Sequence, residues 1–269
     1  MSQGAALPAT RDQLARDFTR RVLTIADPRI RSLAVSERLQ RLRPDSAAQL
    51  LHNIWLAACD NEQNCQQVLI DLASNVPLSE TLPYEFASQL YEASRELALA
   101  DVARLLLSPT WKKADNLEAL NAMPGVELGR RVAMARRQDR DTLDRLMRDP
   151  EPKVTRVLLD NPRLVERDVV LMAARRPVDP EALLVIFRHP RWLTQPQVKL
   201  ALAANPHLPS DAALALLPFL TAAQLRGIAR DEHIATAVRM IADRLAINWL
   251  ACRCTRDVVP RAASFPERD

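Results

Sequence analysis

Glycine is scarce in this chain: four residues in 269, against nineteen prolines. Phosphate-cradling loops, nucleophile elbows and tight β-hairpins place glycine where the backbone takes a positive φ, so the scarcity argues against all three. Neither GxGxxG, a Walker-type loop nor GxSxG occurs, which removes nucleotide binding by those loops and a serine-hydrolase elbow. Aromatic residues make up 4%. The core must therefore be Leu, Ala, Val and Ile, and little is on hand to stack on nucleic-acid bases. Four cysteines do not make a disulfide scaffold in a chain of this length, and a reducing cytoplasm is the expected compartment. No run approaches the roughly 18 apolar residues of a membrane span. The start, MSQGAALPATRDQLARDF, has no basic region leading into a long apolar one, so no secretory leader is expected.

What the chain does have is proline between short apolar segments, where it punctuates helices without breaking them. Thr10–Gln13, Thr194–Gln197 and Thr221–Gln224 read as capping boxes. Asp27-Pro28 and Asp179-Pro180 put an Asp at N-cap and a Pro at N1. Asp45 and Ser79 are further candidate caps. The periodicity predicts helices over 10–25, 29–42, 46–59, 62–74, 80–97 and 99–107, then a break at Ser108-Pro109. Shorter helices follow over 115–122, 127–137, 140–148, 153–160, 166–175, 180–188, 195–204, 210–217 and 221–230. A long final helix runs over 232–254, with an apolar stripe of Ile234, Val238, Ile241, Leu245 and Trp249.

The middle of the chain repeats itself. RDPEPKVTRVLLDNPRL (Arg148 to Leu164) matches RHPRWLTQPQVKLALAANPHL (Arg188 to Leu208) around a four-residue insertion. VVLMAARRP (Val169 to Pro177) aligns with VKLALAANP (Val198 to Pro206), and RRVAMARR (Arg130 to Arg137) is a fainter copy. One such unit cannot bury its apolar face alone and must stack on the next. The string DPEPKVTRVLLDNP, with its echo QVKLALAANP, resembles units of HEAT-like and leucine-rich-repeat-variant α-solenoids over about residues 128–220. The positions after the motif valines carry Thr155 and Lys199 in place of the arginine usual there. The resemblance implies an all-α, right-handed α-solenoid of short HEAT/ARM-like repeats, and a role as a binding surface. The expected organisation is an N-terminal helical bundle over 1–110, a repeat domain with a long capping helix over 111–255, and a frayed tail over 256–269.

Sites for chemistry are few. His52, His189, His207 and His233 are scattered, and no HExxH appears. Cys59 and Cys65 are spaced C-x₅-C, and Cys252 and Cys254 are C-x-C. Neither is a metal knuckle, so all four read as small apolar residues and no metal or cofactor is expected. The formal charge is +4, and residues 129–191 hold 15 Lys plus Arg against 10 Asp plus Glu. Within that stretch Arg130, Arg131, Arg136, Arg137, Arg175 and Arg176 come as doublets, and arginine suits bidentate contact with carboxylate or phosphate. The bland alternative is a solvated face, with Asp141–Arg145 and Asp144–Arg148 as i,i+4 pairs. Trp111, Lys112 and Lys113 lie in the expected hinge, and Trp192 is the aromatic expected to be exposed; Trp55 and Trp249 read as core.

The leading expectation is thus a non-catalytic cytoplasmic scaffold or adaptor. It would bind a partner protein of acidic or mixed surface through a basic solenoid ridge, as a monomer or as a homodimer through the final helix. A duplex-DNA-binding HEAT-like protein is the alternative, weakened by the interleaved acids and the scarce aromatics. An enzymatic site on Glu85, Glu92 and Glu96 near Tyr84 and Tyr91 is a third reading, against which stands the habit of helical Glu at such spacing to face solvent.

Overall fold

The computed structural model describes residues 11–74, 78–107, 123–137 and 139–254. Among them every regular element is helical, and no helix is long and apolar enough to cross a membrane. The first stretch holds α1 (Arg11–Val22), α2 (Pro28–Gln40), α3 (Pro44–Cys59), α4 (Gln63–Ser74), α5 (Leu78–Thr81), α6 (Tyr84–Glu96) and α7 (Ala100–Leu105). The second opens with α8 (Leu128–Met134), α9 (Arg140–Leu146), α10 (Pro152–Leu159), α11 (Glu166–Ala174) and α12 (Pro180–Phe187). It continues with α13 (Pro190–Leu193), α14 (Pro196–Ala203), α15 (Ser210–Leu216), a 3₁₀ turn (Leu217–Phe219), α16 (Ala222–Arg230) and α17 (Thr236–Cys254). The expected break at Ser108-Pro109, the helix over 115–122, Thr10, Trp111, Lys112, Lys113, the tail and the side chains of Trp249, Cys252 and Cys254 lie outside the described residues.

Proline marks helix starts as expected: α2, α3, α10, α12, α13 and α14 each begin on one, where the missing N–H has no intrahelical partner to lose. Asp27 accepts from the Arg29 amide and Asp179 from the Glu181 amide, each at 2.7 Å. The Thr221–Gln224 box is complete, with Thr221 N donating to Gln224 Oε1 at 2.9 Å and Gln224 N to Thr221 Oγ1 at 3.4 Å. Other starts differ from expectation. Thr194 ends α13, its hydroxyl turned back to the Arg191 carbonyl at 2.7 Å, and Gln195 precedes α14. The start of α3 falls on Pro44, which leaves Asp45 in the first turn, and Ser79 lies inside α5. The helix over 80–97 is interrupted because Pro83, with ψ 139°, takes an extended conformation and lacks an N–H to continue the ladder. The last helix begins at Thr236: Asp231 Oδ1 accepts from the His233 amide at 3.0 Å, and this local turn competes with the helix.

Helix α10 lies against α8 and α12, and α14 against α11, α12 and α15. One linkage recurs. Asn161 Nδ2 donates to the carbonyls of Ala135 and Arg137 at the end of α8, at 2.8 and 2.7 Å. Asn205 Nδ2 does the same to Ala173 and Arg175 at the end of α11, at 2.8 and 2.9 Å. In both, Oδ1 accepts from the amide two residues on (Arg163 or His207), which bends the chain into the next unit. The side chains of both asparagines are buried. The Asn-Pro dipeptides of the sequence repeat are therefore the ties that satisfy helix-end carbonyls.

The two stretches share a core. Helix α15 packs on α4, the 3₁₀ turn on α3, and α17 on α16, α15 and α7. Every residue of Ser210–Leu216 is buried, including the polar Ser210 and Asp211 of its first turn. Arg104 of α7 donates to Ser210 Oγ at 2.6 Å across this seam. Trp55 is buried in the same apolar cluster as Leu158, Phe187 and Leu214. A second cluster, around Leu39, Leu51 and Leu90, is confined to the first stretch. Val238, Ile241 and Leu245 are buried on α17 as the stripe predicts, and Ile234 is buried in the turn before it, while Met240 and Ile247 face outward.

Candidate functional site

The arginine doublets do not form one ridge. Arg131, expected on the surface, is buried: its Nη1 bridges both oxygens of the buried Asp149, at 2.6 Å to Oδ1. Asp149 Oδ1 also accepts from the Glu151 amide at 3.0 Å, which fixes the turn before α10. Burying this pair is tolerable only because each charge meets a partner. Arg130, Arg136 and Arg137 are exposed, Arg130 on α8 and the other two in the turn after it. Trp192 is a second correction. It is 3% exposed, its Nε1 donates to the Leu159 carbonyl at 2.8 Å, and Arg191 lies over its ring at 4.2 Å. The indole fills the turn between α12 and α14 because its one N–H finds a helix-end carbonyl there.

A basic cleft lies between α9 and α11. It measures about 830 Å³ and is lined by Arg140, Arg148, Arg167, Arg175 and Arg176, against Asp144 and Asp168. Met147, Val165, Leu171 and Met172 supply its apolar wall. Arg140 builds the frame. Its Nη1 and Nη2 fork onto Asp168 at 2.7 and 2.6 Å, and its Nε reaches Asp144 at 2.7 Å. Asp168 in turn accepts from the Val165 amide at 3.1 Å and so caps α11. The expected pair Asp144–Arg148 does not form, because Asp144 faces back to Arg140. Among the described residues Arg148 and Arg167 make no ion pair. Arg176 reaches Asp231 at 3.5 Å and also donates to the Ala204 carbonyl. Arg175 is half-buried. Burial pushes its guanidinium down, the like charge of Arg148 adds to this, and Asp149 opposes it.

The fork from Arg140 holds the Asp168 carboxyl below the usual carboxylate range, outweighing the effect of burial. A depressed folded value means stability that is present above the unfolded value, about 3.9, and is lost as pH falls through the folded one. Asp168→Asn should therefore lower the unfolding free energy by about 2 kcal/mol at pH 7, with the deficit shrinking below about pH 4. Urea unfolding of both proteins at the two pH values checks this.

The other candidates are dispersed. His52 Nδ1 pairs with Asp101 Oδ2 at 2.9 Å, and His189 Nε2 with Asp160 Oδ1 at 3.2 Å. Cys59 and Cys65 are free thiols. The Cys59 thiol is pushed up to about 12, first by burial and then by Asp60 and Asp101, so it stays protonated at neutral pH. Among the described residues no group of three or more His, Cys, Asp or Glu side chains could hold a metal. Glu85, Glu92, Glu96 and Tyr84 are exposed on α6, while Tyr91 is half-buried.

Sequence reasoning found Arg175 and Arg176 but not Arg140, Arg148 and Arg167. The signal for Arg140 was its separation from Asp168, 28 residues, close to the offset of 29 between the aligned strings Val169–Pro177 and Val198–Pro206. No protein-family model, curated protein or solved structure matches the chain.

Proposed function

We propose that the chain is a non-catalytic adaptor that binds a partner protein through the basic cleft between α9 and α11. The observation that carries this is the lining charge: five arginines against two aspartates, with both aspartates already held by Arg140. A net positive, arginine-rich concavity favours a carboxylate-bearing surface. We also propose that the short helices from Leu128 on stack as a right-handed, HEAT-like α-solenoid with α17 as its cap. The support is the recurring asparagine tie and the contacts of α8 with α10 and of α10 with α12. A cytoplasmic setting is in keeping with the free thiols of Cys59 and Cys65.

Charge reversal tests the reading. Arg148→Glu combined with Arg167→Glu alters two exposed side chains and should leave the fold intact. Expected is loss of one dominant protein from a pulldown, with duplex DNA retained weakly by both proteins. Steep, salt-sensitive retention of duplex DNA by the native chain alone would point instead to phosphate-backbone recognition.

A further inference from the structure

We infer that the α9–α11 cleft takes an acidic peptide segment carrying an apolar side chain, its carboxylates meeting Arg148 and Arg167 and its apolar group lying against Leu171 and Val165. This rests on the reading of the cleft as the partner-binding face.

Three observations specify the occupant. First, the nearby acids are engaged: Asp144 and Asp168 by Arg140, and Asp149 by Arg131. Second, Arg148 and Arg167 are exposed and make no ion pair among the described residues. An incoming carboxylate pairs with both, and in a partly enclosed cleft it does so more strongly than on an open surface. Third, Leu171 and Val165 are 58% and 53% exposed within the same cleft. A phosphate backbone has nothing to place against them, whereas an apolar side chain removes that surface from water. The cleft volume, about 830 Å³, falls among ligand-sized clefts of about 300–1,000 Å³.

The test uses the full chain and fluorescein-labelled probes at physiological ionic strength. One probe is a short peptide of glutamates around a central leucine. Its twin carries serine in place of the leucine, and the third is a DNA duplex of equal charge. Fluorescence anisotropy should rank the leucine peptide about tenfold tighter than the serine twin, and tighter than the duplex. Arg148→Glu with Arg167→Glu should weaken both peptides by about tenfold or more. Leu171→Ser should make the two peptides bind equally; circular dichroism confirms that each variant is folded. Equal binding of the two peptides by the native chain overturns the inference, as does a preference for the duplex. If neither peptide binds while the charge reversal still abolishes partner capture, the acidic–apolar occupant is wrong and the cleft remains the docking face.

Discussion

Arg131→Ala should lower the unfolding free energy by about 3–5 kcal/mol, which chemical denaturation would register as a large fall in midpoint. The reason is what the substitution leaves behind. Asp149 has a side chain 2% exposed, and Arg131 is its only ion-pair partner among the described residues. Without the guanidinium the carboxylate stays buried with the Glu151 amide as its hydrogen-bond donor and only the non-contacting charge of Arg175 to offset it. Arg130→Ala, one residue away and exposed, should change stability by no more than about 0.5 kcal/mol. Removing both charges together, as Arg131→Met with Asp149→Asn, should recover much of the loss, because no orphan charge remains. Equal effects at positions 130 and 131 would contradict the buried pairing.

The second large effect is expected at Asn205. Its amide satisfies two carbonyls at the end of α11, and its oxygen holds the His207 amide. Asn205→Ala strips all three bonds at a site 2% exposed and should cost about 2–4 kcal/mol. Asn205→Asp discriminates between its roles. Aspartate keeps the acceptor for His207 but sets negative oxygens against the Ala173 and Arg175 carbonyls. It should therefore be at least as damaging as alanine. If aspartate were tolerated while alanine was not, the turn rather than the helix-end tie would hold the site together. Asn161, bonded in the same way to Ala135 and Arg137, should behave alike.

Those asparagines show how far the sequence could be read. The Asn-Pro dipeptides were visible as repeat markers, and the proline starts, the Thr221–Gln224 box and the stripe on α17 all follow from local rules. Such rules see only a turn or two of helix. They placed a cap at Thr194, but the Arg191 carbonyl captured its hydroxyl. They paired Arg148 with Asp144, but Arg140 holds that aspartate in the reverse i,i+4 direction. Arg131 looks like a surface charge in sequence because its partner lies 18 residues on, in the turn before α10. Trp192 looks exposed in sequence because its partner carbonyl, Leu159, lies 33 residues back. The basic cleft itself draws on two helices and both of their flanking turns, so no single window of sequence contains it.

A position-specific photo-crosslink tests the docking claim most directly. A photoreactive phenylalanine at position 171, inside the cleft, is compared with one at position 240, exposed on α17. Our account predicts that position 171 crosslinks to the captured partner and that Arg148→Glu with Arg167→Glu removes the product. Crosslinking to that partner from position 240 alone, indifferent to the charge reversal, would contradict it.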